Sequence, residues 1–230
     1  MTQKPPKPGT IADREALLAS DEAQVAVRGW WRRVPRVLTQ PAAVFAALRE
    51  DDDTDVHARS EPILAIVSFA GMAGIVLTPA WGTQFDDAGV DWLVFAVVTF
   101  IGGIFYGAAG YFLLGAAVWL GARSVGGDAP ARRARHVLAF ASVPLALSLV
   151  VTLPAALIIY GADFFRSGGG DGGVGRGVVV GTGLCFAAWS IGLLAVGLRV
   201  TYRLAWQGVI GTVALAGVLV AAFAVLPSML

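Results

Sequence analysis

Five stretches of this chain contain no Asp, Glu, Lys or Arg: Ile63 to Pro79, Trp92 to Gly121, Val137 to Tyr160, Gly177 to Leu198, and Leu204 to Leu226. An α-helix rises about 1.5 Å per residue, so crossing the roughly 30 Å hydrocarbon layer of a bilayer takes about 20 mostly apolar residues. A charge at the centre of such a helix costs about 2.5–3.5 kcal/mol, whereas each Leu, Ile, Val or Phe returns only about 0.3–0.6 kcal/mol. Unbroken neutrality over these lengths therefore marks helices immersed in lipid. The bulk composition points the same way: 57% of the 230 residues are hydrophobic and 14% are charged. A water-soluble domain carries about 25% charged residues. The expected fold is all-α, a polytopic membrane helical bundle of five transmembrane helices.

The run from Trp92 to Gly121 is longer than one span needs, yet two spans and a turn require about 40 residues, so it reads as one tilted or overhanging helix. Pro144 and Pro154 fall in the third run, where each removes a backbone donor. That helix is expected to be kinked and to sit centrally, where neighbours re-satisfy the freed carbonyls.

Basic residues set the orientation. Lys4, Lys7, Arg14, Arg28, Arg32, Arg33, Arg36, Arg49 and Arg59 precede the first run; Arg123, Arg132, Arg133 and Arg135 lie between the second and third, and Arg199 and Arg203 between the fourth and fifth. The two remaining connectors hold only Arg166 and Arg176 of the 17 basic residues, and the first carries Asp86, Asp87 and Asp91. Lys and Arg are retained on the cytoplasmic side, which places the N-terminus in the cytoplasm and, after five crossings, the C-terminus outside. Residues 1–61 then form a cytoplasmic N-terminal segment and 62–230 a membrane domain with spans near 63–79, 92–121, 137–160, 177–198 and 204–226.

The N-terminal segment begins with a Pro-rich stretch, Lys4 to Gly9, expected to be a disordered tether. From Arg28 to Arg49 the pattern changes to aromatic and aliphatic residues interleaved with arginine, as in Trp30-Trp31-Arg32-Arg33 followed by Arg36, and Pro41 suits the first turn of a helix. This reads as an interfacial helix near residues 28–49, lying among headgroups. Trp30, Trp31, Arg32, Arg33 and Arg36, with Arg132, Arg133 and Arg135 from the connector, are the expected contacts for lipid headgroups or a protein partner on the cytoplasmic face. Simple anchoring that also fixes topology is the plainer role for the same residues.

Reaction chemistry is sparse. The hydroxyls within the runs, such as Ser68, Thr99, Tyr106, Ser142, Ser148, Thr152, Thr182 and Ser190, have no histidine beside them in sequence to act as a base, and none of the runs carries an ionisable proton-relay group. Such hydroxyls usually bond back to helix carbonyls. His136, next to Arg135, reads as one more headgroup-level residue rather than a metal ligand. With Cys185 the lone cysteine, neither an intrachain disulfide nor a cysteine metal cluster can form. The glycine-rich stretch Gly168 to Gly177 lacks the Lys-Ser or Lys-Thr of a phosphate-binding loop and reads as a connector. No catalytic residue, cofactor or metal site, and no nucleic-acid partner, is expected. Gly103 and Gly107 form a small-xxx-small pair, serving close helix packing or, as the sharper alternative, homo-oligomerisation.

Several segments in order resemble a known family. Pro35-Arg36-Val37-Leu38 through Pro41-Ala42-Ala43-Val44-Phe45 precedes the first run; Gly126-Gly127 with Arg132 to Arg135 forms the second connector; Ala139-Phe140-Ala141-Ser142-Val143-Pro144 opens the third run. Trp189-Ser190-Ile191-Gly192-Leu193-Leu194 through Gly197-Leu198 closes the fourth. Together they resemble the Yip-one domain of the Ypt/Rab-GTPase-interacting membrane proteins, from about Val34 onwards. The resemblance implies a five-span helical domain with a cytoplasmic N-terminus, and it implies no catalytic residue. Eukaryotic relatives are associated with vesicle traffic and Rab-type GTPases. The Ala, Val, Gly and Arg bias here, with lysine confined to Lys4 and Lys7, suggests a bacterial member in a plasma membrane without such partners. The leading expectation is a non-enzymatic membrane organiser or adaptor. The alternative is a permease or channel component for a small neutral or lipid-like solute, with Pro144 and Pro154 as its moving kinks, and an intramembrane enzyme is the least supported class.

Overall fold

The computed structural model describes residues 28–51, 56–76, 92–128, 130–165 and 173–225, and among them the regular structure is entirely helical. The Pro-rich stretch, the connector with Asp86, Asp87 and Asp91, and the glycines at 168–170 lie outside the described residues. Helix α1 covers residues 28–39. It is followed by α2 (Pro41–Glu50), α3 (Val56–Val76), α4 (Trp92–Ser124), α5 (Ala131–Ala141), α6 (Val143–Tyr160), a short 3-10 turn (Gly161–Phe165), α7 (Gly173–Tyr202) and α8 (Trp206–Val225).

Among the described residues, four helical stretches are long and apolar enough to cross a bilayer: Ala58–Val76, Ala96–Ser124, Ala131–Tyr160 and Val174–Tyr202. A shorter apolar stretch, Trp206–Val218, belongs to α8. The run from Trp92 forms one unbroken helix, as its length suggested, and continues to Ser124. The first span begins earlier than expected, at Val56, and runs through Pro62, which lies inside the helix and leaves the Ala58 carbonyl without its usual intrahelical donor.

The third run breaks at Pro144, one of the two prolines expected to bend it. Pro144 has no N–H to give to the carbonyl of Phe140, and the chain is divided into α5 and α6 at Ser142, whose φ and ψ are -82° and 0°. Ser142 closes the end of α5 by donating its backbone N–H to Leu138 O at 3.0 Å and its hydroxyl to the same oxygen at 2.8 Å. Pro154, by contrast, is carried inside α6. Nor is this the central helix. Within the spans, 56% of α3 is buried by protein, against 17% of α4, 28% of α5–α6 and 22% of α7, so the hub is α3.

Helix α3 packs on α4 and α6; α4 also contacts α5 and α8; α7 lies against α6, α5 and α2. The closest approach is between α3 and α4. A Cβ placed on Gly71 would lie 2.6 Å from the backbone nitrogen of Gly107 and 2.7 Å from its Cα, and one on Gly107 would lie 2.9 Å from the carbonyl carbon of Val67. Gly103 meets the backbone of Met72 in the same way, at 3.0 Å. The small residues therefore let two backbones touch within one chain, which is how helices associate when lipid provides no hydrophobic drive.

Burial is uneven along the bundle. The fully buried side chains Val37, Phe45, Val118, Val137, Phe140, Leu198 and Val209 gather where α1, α2 and α5 meet the C-terminal parts of α4 and α7 and the start of α8. Away from this end, large apolar side chains such as Leu93, Phe105, Ile158, Val174 and Leu184 are exposed, as lipid-facing residues are. The connector from α4 to α5 is tied down by Gly126, at φ +88°, and by the Gly127 N–H donating to Ala122 O at 2.8 Å. That conformation is open to glycine and strained for other residues, which accounts for Gly126, while a Cβ on Gly127 would lie 2.8 Å from Ala122 O.

Candidate functional site

The densely packed end of the bundle is also where the arginines collect. Helix α1 is two-faced: Trp30, Val34, Val37 and Leu38 join the core, while Trp31, Arg32, Pro35 and Arg36 are exposed. The two tryptophans expected together at the headgroups are thereby separated. Trp31 is 41% exposed, but Trp30 is only 5% exposed. The Trp30 ring meets His136 edge-on, with centroids 6.0 Å apart, and Phe140 at the same centroid distance. Trp30 is a core residue because an indole packs better on imidazole and phenyl rings than it does in water.

Arg33 covers the outer face of Trp30, its guanidinium carbon 4.3 Å from the ring centroid. It also forms a two-pronged ion pair with Asp51, Nη2 donating to Oδ1 at 2.9 Å and Nη1 donating to Oδ2. This links α1 to the residue that ends α2 and neutralises one arginine of the group. Helix α2 presents Val44, Phe45 and Leu48 inward, and Thr201 of α7 reaches the Phe45 carbonyl at 3.4 Å.

The connector arginines divide in a similar way. Arg132, Arg133 and Arg135 lie in the first turns of α5, where there is no acidic residue and the N-cap is Pro130 without a side-chain cap. Arg135 turns back against α4, passing over Gly115, and its guanidinium carbon lies 5.8 Å from the Tyr111 ring centroid and 5.1 Å from that of Phe112. Its Nε is buried without a hydrogen-bond partner. Arg59, in the second turn of α3, is 7% exposed, as is His136. Arg33, Arg59, Arg132 and Arg135 all lie near enough to His136 for their charges to act on its ring, and Arg59 and Arg135 both act on Tyr111. Two more pairs occupy this end: Arg123 over Trp119 at 5.4 Å and Arg199 over Trp206 at 4.6 Å.

Sequence patterning marked Arg132, Arg133 and Arg135, but gave His136 to the headgroups and left Arg59 as one positive charge among many. The signal it held was the position of Arg59, four residues before Ile63 and already inside the helix that becomes the hub. Gly103, Gly107, Pro144 and Pro154 belong to packing and helix geometry away from this cluster. Among the described residues no three His, Cys, Asp or Glu side chains gather as metal ligands do. Within the bundle, Ser148 donates to Leu145 O at 2.6 Å and Thr212 to Gly208 O at 2.8 Å. Thr99, Thr152 and Ser190 keep buried hydroxyls without partners.

A family model, the Yip1 domain, matches residues 36–226, which takes in every span and the whole arginine-bearing connector. The chain belongs to the Yip1 domain family. No curated protein and no solved structure matches it. As a Yip1 domain protein with several bilayer-length apolar helices, it is a multi-pass transmembrane protein. The matched region of the Yip1 domain starts at Arg36, inside α1, so α2, Arg59 and the connector arginines fall within it, while Trp30, Trp31, Arg32 and Arg33 precede it.

Proposed function

We propose that this chain is a non-enzymatic membrane organiser of a bacterial plasma membrane, acting through the exposed basic face of α1 on anionic lipid and a cytoplasmic protein partner. The topology has five spans, with α8 the fifth: its 20 residues reach about 30 Å at 1.5 Å per residue. The N-terminus is cytoplasmic and the C-terminus outside, supported by the gathering of Arg123, Arg132, Arg133, Arg135, Arg199 and Arg203 at one end of the bundle. Residues 1–61 form the cytoplasmic segment, with its helical part held against the membrane unit of residues 62–230.

The observation that carries this reading is the two-faced α1. Its apolar face is anchored in the core by Trp30 and Val37, so Trp31, Arg32 and Arg36 are held outward on a fixed surface rather than on a loose tail. A rigid row of one aromatic and two guanidinium groups suits phosphate-bearing surfaces, and each basic residue near an anionic leaflet contributes about 1 kcal/mol. Two experiments test it. Replacing Trp31 with Ala and Arg32 and Arg36 with Gln is expected to abolish in-cell crosslinks from α1 to lipid and protein without changing the amount of folded protein; unchanged crosslinks sink the assignment. In a Cys185→Ser background, Asp128→Cys is expected to react with an impermeant thiol reagent only after permeabilisation and Asp163→Cys in intact cells. The reverse pattern removes the topology.

A further inference from the structure

We infer that Arg59 and Arg135, walled by His136, Tyr111 and Phe112, form a binding site for a single phosphate group of nearly two negative charges, presented by a phosphatidate-type lipid headgroup or by free phosphate. The argument starts from charge. Arg33 at this end has its carboxylate in Asp51, but neither Arg59 nor Arg135 has a carboxylate partner among the described residues. Arg59 is more than nine-tenths buried, and the Nε of Arg135 is sealed from solvent with no acceptor. Buried guanidinium groups are stable when an anion accepts their N–H bonds, and costly otherwise.

The surroundings add potential of the same sign. Arg132 lies beside them, and the first turns of α5 bring the positive end of a helix without an acidic residue or side-chain cap. Among the described residues neither guanidinium group has a carboxylate, and the two together match the charge of about -1.5 to -2 on a phosphate monoester at neutral pH. A phosphodiester or carboxylate brings a single charge and leaves one guanidinium unneutralised. Forked N–H donors suit tetrahedral phosphate oxygens, and contact with the Tyr111 and Phe112 rings holds one fork against α4.

Depth points to the lipid source. Helix α4 has 33 residues and measures about 50 Å, which exceeds the hydrocarbon layer by about 20 Å. Counted from Trp92, about 20 residues of rise end at Tyr111 and Phe112, the rings that Arg135 contacts. Arg59 and Arg135 thus stand where acyl chains give way to headgroups, within reach of a monoester set directly on a glycerol backbone. The lipid source rests on the membrane placement proposed above; the phosphate site itself rests on the packing alone.

The test uses the full-length protein in nanodiscs of phosphatidylcholine, without or with a minority of phosphatidate or of phosphatidylglycerol, and in detergent titrated with sodium phosphate against sodium chloride at equal ionic strength. The readouts are the thermal midpoint and bound lipid counted by native mass spectrometry. Phosphatidate is expected to raise the midpoint and remain bound, and phosphatidylglycerol to do neither. Removing one charged hydrogen-bonding partner is expected to weaken binding at least about tenfold in Arg135→Gln. Arg135→Lys, which keeps the charge but loses the fork, is expected to fall between, and Arg36→Gln, on the exposed face of α1, to bind as the wild type does. A response to inorganic phosphate equal to that of phosphatidate identifies the free ion as the source and supports the site. Equal responses to phosphatidate and phosphatidylglycerol, no response to any phosphate, or a response that survives in Arg135→Gln overturns it. Should Arg135→Gln not fold, Arg59→Gln and the wild-type preference for monoester over diester decide the matter. Crosslinking through Trp31, Arg32 and Arg36 is read separately, so the organiser role and this site fail independently.

Discussion

Replacing Gly71 with alanine asks whether α3 and α4 are held by backbone contact. The added Cβ would run into the Gly103 carbonyl oxygen and sit 2.6 Å from the Gly107 nitrogen, and ordinary contact begins at 3.4 Å, so the two helices have to part by at least about 0.8 Å at this point. A gap of roughly 0.5–1 Å forfeits about a quarter to a half of each dispersion contact it opens, and overpacking of this kind costs about 1–3 kcal/mol. Alanine returns about 0.5–1 kcal/mol through its better helix propensity, leaving Gly71→Ala destabilised by up to about 2.5 kcal/mol. Gly110→Ala on α4 is the control, because a Cβ there meets nothing within 4 Å; it keeps the propensity gain of about 0.5–1 kcal/mol without the clash. The assay is reversible unfolding in mixed micelles with increasing SDS, followed by tryptophan fluorescence or far-ultraviolet circular dichroism. The two alanines are expected to differ in sign. Gly71→Ala as stable as Gly110→Ala would refute the contact argument, since helix propensity alone predicts equal gains.

Three further expectations use the same unfolding assay. Trp30→Ala empties a site packed by His136 and Phe140 and is expected to cost about 3–5 kcal/mol, while Trp31→Ala stays within about 0.5 kcal/mol of wild type; similar losses for both would mean that α1 is not docked on one face. A double-mutant cycle with Arg33→Gln and Asp51→Asn is expected to give a coupling of about 1 kcal/mol, the upper part of the range for ion pairs near a surface because the pair is two-pronged; zero coupling removes the link between α1 and the end of α2. Gly126→Ala has room for its Cβ but sits at φ +88°, so a backbone cost of about 1–2 kcal/mol is expected, reduced in Gly126→Asn; no cost in either would show that the connector relaxes freely.

Much of the helical plan was legible because the bilayer imposes a length and a neutrality that a sequence cannot conceal. Trp92 through Ser124 reads as one helix from its residues alone, and the α5–α6 break follows from the proline two residues after Ser142. What escaped was the sidedness of each helix. In water an apolar stripe points to the core, but in lipid both the protein-facing and the lipid-facing sides are apolar, so nothing in Ile63 to Val76 marks α3 as the hub. The candidate site was half legible for a related reason. Arg132 to Arg135 stand out as a run, whereas Arg59 and Tyr111 come from helices far apart in sequence and meet them only through packing. Trp30 and Trp31 are neighbours of identical type, and only the placement of α1 on His136 and Phe140 decides which one leaves the surface.

The hub position of α3 has a consequence for synthesis. Among the spans it leaves the ribosome first, carrying Pro62 and the interior arginine Arg59, at a time when the helices that will shield it have not been made. Alone among acyl chains it is the poorest lodger of the set, and its natural first companion is the next segment to arrive, whose Gly103 and Gly107 accept Gly71 backbone to backbone. The contact between α3 and α4 is thus the earliest one between spans that synthesis makes available, once Gly107 has followed Val76.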